Sequence, residues 1–479
     1  GSGHILVEGY ELFKAIYLER GYRQRDVAQL ILENNLFGLD IDGRAAQLTG
    51  FALMMKGRAD DRRLFERGVK LNVMSLVDSA GFDPDVVASG VKLADYGLLL
   101  GDLAELKRLF EHATTFGSLI QVPEGLAKKL PGLKRLCEVT SQDLFVADEL
   151  KSLWPLVRQA ALLAAQYDAV VANPPYMGGG GMNAEVKKFV KDYFPEAKSD
   201  LFACFIERGF VLAKVDGQNA MVTMESWMFL SSYENFRKKV LQQYTLQNLA
   251  HFPYDGKRPT AMGINFGVAA FCAKASQVPG HKGRYCCSRY YELNDNGIPF
   301  EFPTVNERLN IVAADEFEKI PGSPIAYGLS ESLRATFGAH KSLSEVARPK
   351  EGLNTTDNDR FLRRWWECGA EAIKLDARGA TDAAASRAKW FPCQKGGAYR
   401  RWYGNSEFVV NWGENGREIK SKVAHQYGSI SKRVVNEHLY FREGISWSSV
   451  TSLSITMRYV RSGQIFETAG NMCFFDAER

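Results

Sequence analysis

The sequence has no run of 18 apolar residues, which leaves no segment fit to cross a membrane as a helix. It also has no Cys-x-x-Cys pair and no His-x-x-x-His among its eight cysteines and seven histidines. Cys286 and Cys287 are adjacent, which is poor chelating geometry, so no metal centre is expected. Scattered cysteines of this kind stay reduced in a bacterial-type cytosol, and a cytoplasmic location is the expectation. The start, Gly1-Ser2-Gly3-His4, does not read as a signal peptide. An excess of one charge sign is missing as well. Net charge is +4 over 479 residues, so any nucleic-acid binding must come from a local patch. What remains is the composition of a globular protein, 46% hydrophobic and 24% charged, long enough for two or three domains.

The most informative stretch is Tyr167-Asp168-Ala169-Val170-Val171-Ala172-Asn173-Pro174-Pro175-Tyr176. It predicts a short buried strand running into a rigid polar loop. Pro174 and Pro175 stop both helix and ladder, leaving Asn173 and Tyr176 at the carboxyl edge of a sheet, where open α/β sheets place their sites. The chemistry that wants this shape is methylation of an exocyclic amine. The lone pair of adenine N6 is delocalised into the ring. Two acceptors on its hydrogens, the Asn173 amide oxygen and the Pro174 carbonyl, would draw it out of the ring plane. The Tyr176 ring would stack on a base swung out of the duplex. The same tetrapeptide serves enzymes that methylate protein amides.

Upstream, Ile5, Leu6, Tyr10, Leu12, Phe13, Ile16 and Tyr17 give a helical apolar face, and a second helix is expected near Val27 to Glu33. Gly-Ser-Gly before a helix suits a ligand approaching backbone N–H groups, and would equally suit a cloning scar. Leu36 to Asp42 reads as a strand ending in carboxylates. Asp40 is the candidate acceptor for ribose hydroxyls, with Asp42 in reserve or acting as the cap of the next helix. Val69 to Leu76 is a candidate strand, and residues 78–165 a helical insertion with a break or restart at Pro155. Within it, Phe116 to Ile120 is a candidate for a loop near the cofactor adenine. Gly178 to Gly181 is expected to be a mobile loop, and Asp200 to sit at a helix N-terminus.

Strands are expected at 217–224, at Leu246 to Phe252 and from Ile264 to Ala273, with a loop at Tyr254 to Pro259. Phe266 is a candidate second aromatic against the base. Residues 276–330 read as a connecting region. From 331 onward the periodicity is short and β-like, aromatics and cations interleave, and the region carries an excess of six positive charges. Arg400, Arg401 and Trp402, within Lys395 to Asn405, are the candidates for phosphate, base-edge and stacking contacts, with Arg363-Arg364-Trp365-Trp366 beside them in kind.

Gly1-Ser2-Gly3-His4-Ile5-Leu6-Val7, Asn35 to Asp42, Asn173-Pro174-Pro175-Tyr176, Asp200-Leu201-Phe202, Gly396-Gly397 and Trp402-Tyr403-Gly404-Asn405 together resemble the gamma arrangement of N6-adenine DNA methyltransferases, in particular the PglX-like enzymes of BREX phage-defence systems. The resemblance covers nearly the whole chain. It implies an α/β, doubly wound Rossmann-like methyltransferase sheet over residues 1–275, followed after the connector by a mixed, β-rich target-recognition domain over 331–479. It implies S-adenosyl-L-methionine as cofactor, held in part by Gly1 and Gly3, and double-stranded DNA and other BREX defence proteins as partners, with no membrane. In that family Gly-Ser-Gly-His ends a longer cofactor motif, so the first strand of the sheet is expected to be missing and the last domain to be incomplete. A fused restriction–methylation enzyme and a non-catalytic DNA-binding or assembly module are the alternatives.

Overall fold

The computed structural model describes residues 1, 3–254, 256, 265–294, 299–301, 305, 307–449 and 454–475. The chain forms two compact units, Gly1–Ala335 and Thr336–Arg479.

The first unit opens with α1 (His4–Glu19) and α2 (Gln24–Leu30), which leads through a single π-helical turn into β1 (Phe37–Asp40). Gly3 precedes α1 with a left-handed φ of 78°, and a side chain there would meet Thr49. Thr49 lies on α3 (Gly43–Asp60), whose first turn is capped by Asp42. β2 (Asn72–Ser75) pairs parallel to β1, Phe37 opposite Asn72 and Asp40 opposite Ser75. Tyr10, Ile31, Leu32 and Leu53 are fully buried between these elements. Each such side chain contributes about 1.5–3 kcal/mol of transfer free energy.

The insertion is helical, as expected. It comprises α4 (Pro84–Gly90), α5 (Leu100–Leu109), α6 (Ala113–Phe116), α7 (Glu124–Cys137) and α8 (Leu144–Ala164). It has its own core, including Leu103, Leu106, Leu133 and Val157. The expected break at Pro155 does not occur, and α8 runs through it. Proline cannot donate to the carbonyl four residues back. That residue is Lys151, which is exposed, so water can take the lost bond while Leu153 and Leu156 stay buried.

The main sheet contains β3 (Tyr167–Ala172), β4 (Ala213–Met224), β5 (Thr245–Phe252), β6 (Val268–Lys274), β7 (Lys282–Cys287) and β8 (Asn310–Ala313), in the order β3-β4-β6-β5-β7-β8. β3 and β4 are parallel, and β6 inserts antiparallel between β4 and β5. α9 (Ala184–Tyr193) and α10 (Leu201–Leu212) join β3 to β4, and α11 (Glu234–Gln243) lies between β4 and β5. Phe202, Ile206, Trp227, Phe236 and Phe271 fill the core of this sheet. The strand pair β1-β2 is not hydrogen-bonded to it, although the Phe37 and Tyr167 rings that open β1 and β3 lie 5.2 Å apart. Residues 276–330, read as a connector, instead supply β7 and β8. Residues 255 and 257–264, from the expected loop and the start of the expected strand, lie outside the described residues, as does Ser2.

Two arginines staple this unit. Arg208 of α10 is buried and donates to the carbonyls of Ser118, Ile120 and Leu163 at 3.0, 2.8 and 2.9 Å, tying the insertion to the sheet. Burial holds its pKa down at about 10. Arg237 of α11 donates to the carbonyls of Trp227, Leu230, Gly322 and Ser323.

The second unit carries β9 (Ala347–Lys350), β10 (Leu362–Arg364), β11 (Trp390–Gln394), β12 (Phe408–Asn411), β13 (Gly444–Ser446), β14 (Arg458–Val460), β15 (Ile465–Phe466) and β16 (Met472–Phe475). They form two four-stranded sheets, β10-β12-β11-β15 and β14-β13-β16-β9, around Phe391, Trp412, Phe441 and Phe466. The β-rich expectation holds for this unit. It omitted one long helix, Gly413–Tyr427.

Candidate functional site

β3 ends at Ala172, and the next four residues occupy the carboxyl edge of the sheet. Asn173 and Pro175 are exposed, Pro174 is buried and Tyr176 is half-buried. The Tyr176 hydroxyl lies 3.1 Å from the Val222 carbonyl of β4 and 3.2 Å from Asn173 Oδ1. It has one proton to donate, so it fixes the ring against β4 and leaves the Asn173 amide acceptor capacity. Burial pushes the Tyr176 phenol up from its usual range, which keeps it protonated. Phe202 and Phe266 meet the Tyr176 ring edge-on, at centroid distances of 6.2 and 5.4 Å. Phe266 therefore stands beside the loop, at the start of β6.

The polypeptide beyond Tyr176 is held by Asp200. Its Oδ1 accepts from the Met177 N–H at 2.9 Å and from Phe202 at 3.3 Å, so one carboxylate caps α10 and latches the loop. Gly178 pairs with Asp200, Gly179 donates to the Ser199 carbonyl and Leu201 to that of Met177. The start of the glycine run expected to be a mobile loop is thus a hydrogen-bonded turn. Burial raises the Asp200 pKa, against the opposing pull of the N–H donors of Met177, Phe202 and Leu201. Replacing Asp200 by Ala is expected to lower stability by about 1–2 kcal/mol, because the N–H groups of Met177 and Phe202, the second of them buried, lose their acceptor. Asn, which keeps one acceptor oxygen, should recover more than half of it. Chemical denaturation of the two variants checks this.

At the end of β1, Asp40 Oδ1 accepts from the Asp42 N–H at 2.9 Å, and its other oxygen takes the Gly1 amino group. The Asp42 carboxylate accepts from the Arg44 N–H at 2.8 Å as the cap of α3. Gly1, Gly3, Asp40 and Asp42 are therefore brought together, with Asp42 engaged as a cap. Gly117 approaches Ile41 closely from the loop at 116–120, and Phe116 stacks on Phe189 of α9 at 4.2 Å. Phe116, Phe189 and Tyr176 all pack against one core.

In the second unit, Arg400, Arg401 and Trp402 are exposed at the crown of a loop, Trp402 to 75%. Its stem is fixed by main-chain geometry: Gly396, Gly397, Gly404 and Asn405 all have positive φ. The buried Asn405 side chain donates to the Ala398 carbonyl at 3.0 Å, and the Ser448 hydroxyl to that of Gly397 at 3.1 Å. Trp402 itself has a φ of 70° and is held through its N–H on the Met457 carbonyl and its own carbonyl on the Tyr459 N–H. Such strain at an exposed tryptophan persists because both flanking bonds over-determine it. On another strand, Arg364 lies over Trp366 at 5.2 Å and over Phe408 at 5.3 Å.

One cluster escaped the sequence. Glu225, just past β4, contacts His251 Nε2 at the end of β5, and His251 Nδ1 lies 2.6 Å from the Tyr327 hydroxyl. The three residues are 26 and 76 positions apart, and no spacing rule connects them. Among the described residues no group of His, Cys, Asp or Glu is placed to hold a metal ion, and no helix is long and apolar enough to cross a membrane.

Residues 34–257 match the family model described as Eco57I restriction-modification methylase. Adenine-specific methyltransferase BrxX of Escherichia coli O9:H4 (strain HS) is 40% identical over 503 aligned residues, covering 99% of this chain and 40% of its own. Adenine-specific methyltransferase PglX of Lacticaseibacillus casei (strain Zhang) is 34% identical over 496, with the same coverage of 99% and 40%. The chain thus spans about two fifths of these relatives. The Type IIL restriction-modification enzyme MmeI, solved in complex with DNA, superposes with a TM-score of 0.46 at 12% identity, over 100% of this chain and 56% of its own. The chain is a relative of the BrxX and PglX adenine-specific methyltransferases, and over residues 34–257 it matches the Eco57I restriction-modification methylase family.

Proposed function

We propose that this chain carries the catalytic and target-reading parts of a site-specific DNA adenine-N6 methyltransferase that uses S-adenosyl-L-methionine and marks host DNA in a BREX-type phage-defence system. The observation that carries the reading is the edge of β3. An exposed Asn173 amide and the Pro174 carbonyl sit beside a half-buried Tyr176 ring braced by Phe202 and Phe266. Asn173 Oδ1 and the Pro174 carbonyl accept the two N6 hydrogens, Tyr176 takes the face of the extruded base, and Pro175 keeps the loop from relaxing. Positioning and fixed dipoles do the work, and no strong base is required.

The residues at the end of β1 suit the cofactor. Asp40 is an acceptor-only group at the end of β1, positioned through its Oδ1 by the Asp42 N–H, and a carboxylate at that place is what ribose hydroxyls need as a partner. Gly3 lets the chain pass close to α3, and Asp42 supports Asp40 through its N–H. When bound, the cofactor supplies an electrophilic methyl group. Arg400, Arg401 and Trp402 contact the DNA, with the target-recognition role assigned to residues 331–479. Other BREX proteins are the proposed partners, in the cytoplasm.

The test is the product. Incubated with isotope-labelled cofactor and unmodified host DNA, the protein is expected to yield labelled N6-methyladenine on digestion. Label in methylcytosine or in protein amide nitrogen would overturn the assignment.

A further inference from the structure

The Glu225–His251–Tyr327 cluster lies next to the proposed base-binding edge without belonging to it by any sequence signal. His251 and Tyr327 are each 7% exposed, while the Glu225 side chain is 25% exposed. Burying a carboxylate, an imidazole and a phenol together costs desolvation that an apolar trio would avoid, so the cluster calls for a reason beyond packing. Its position gives one. The Glu225 N–H donates to the Gly267 carbonyl at 2.9 Å. The Glu225 carboxyl fills the space where a side chain on Gly267 would begin, and any Cβ there collides with it. Gly267 follows Phe266, whose ring meets Tyr176. The opposite end of the cluster is anchored as well: the His251 carbonyl accepts from Ser288, and Tyr327 stacks on Tyr285 of β7 at 5.4 Å.

We propose that Glu225 is a positioning residue for Phe266: its carboxylate, braced by His251 and Tyr327, occupies the hollow at Gly267 and fixes the wall of the base slot that faces Tyr176. The assignment rests on the methyltransferase reading above. Glu225 touches no reacting atom in this scheme. It acts through the backbone turn that aims Phe266, so its loss misplaces one side of the slot while leaving cofactor and DNA contacts in place.

The experiment compares Glu225→Gln, Glu225→Ala, Gly267→Ala and the double variant Glu225→Ala/Gly267→Ala in the full-length protein. It measures kcat, KM for cofactor and DNA, and the fluorescence of 2-aminopurine at the target position. Glu225→Ala and Gly267→Ala are each expected to lower kcat by about 100-fold with both KM values within about threefold. Each should also blunt the 2-aminopurine response. Glu225→Gln, of the same size, should stay within about fivefold of the unaltered protein. The double variant should be more active than Gly267→Ala alone, because removing the carboxyl makes room for the added methyl group. Additive losses in the double variant, or full kcat in Glu225→Ala, would overturn the proposal while leaving the methyltransferase reading intact. Absence of methyl transfer by the unaltered protein would overturn both.

Discussion

Asn173→Ala will leave DNA affinity within about threefold of the unaltered protein and reduce methyl transfer by about two to three orders of magnitude, the scale on which losing one preorganised polar contact to a transition state is felt. The side chain is exposed at the sheet edge, and the hydrogen bond it makes is to the Tyr176 hydroxyl, which keeps its second acceptor at Val222. Removing it therefore costs the fold little. On the proposed reading, what is lost is the acceptor for the amine, and N6 would keep its lone pair in the ring. Single-turnover transfer and fluorescence anisotropy, measured on the same preparation, separate the two effects. Transfer within tenfold of normal would remove Asn173 from the mechanism.

The second large effect is on stability. Arg208→Leu is expected to lower the free energy of unfolding by about 3–5 kcal/mol, since the carbonyls of Ser118, Ile120 and Leu163 lose this donor at once, the last two in buried bonds. Relief of the buried charge offsets part of that loss, because no carboxylate pairs with this guanidinium among the described contacts. Arg208→Lys should recover little. An ammonium on a flexible stem does not reproduce a planar fork that reaches Ser118, Ile120 and Leu163 together. Denaturant unfolding of the full chain provides the measurement, and a change below about 1 kcal/mol would show that the three carbonyls find water instead. The link matters to function because Ser118 and Ile120 belong to the loop that supports Ile41, one residue past Asp40.

Much of this architecture could be read in advance where local chemistry and tertiary role coincide. Asn173 to Tyr176 announced themselves because two prolines end a strand wherever they fall. Asp42 and Asp200 could be placed at helix starts because capping is a local bargain between a side chain and the next few N–H groups. The second use of Asp200, latching the loop at Met177, was hidden because it joins residues 23 apart. Pro155 misled for the opposite reason: the rule against proline in a helix concerns a bond whose loss is harmless on a wet face. The short strands β7 and β8 were masked by the polar, proline-bearing sequence around them. Their pairing partners, β5 for β7 and β7 for β8, are set by sheet order rather than by periodicity. Within the span Gly413–Tyr427, Glu414, Asn415 and Gly416 have left-handed φ and form a non-helical kink ahead of the regular turns, which obscures the usual entry signal.

The reach of Arg237 bears on where this protein can be divided. Gly322 and Ser323 supply two of its four carbonyl acceptors, nearly fifty residues beyond the apolar strand at which the composition changes. A gene fragment stopped after Ala275 would strip β7 from the outer edge of β5 and leave a cation half-solvated in the interior. Truncation boundaries for expression, and junctions for swapping the reading module between related enzymes, belong beyond Ala339, clear of the helix Glu331–Ala339 in which the division between the two units falls.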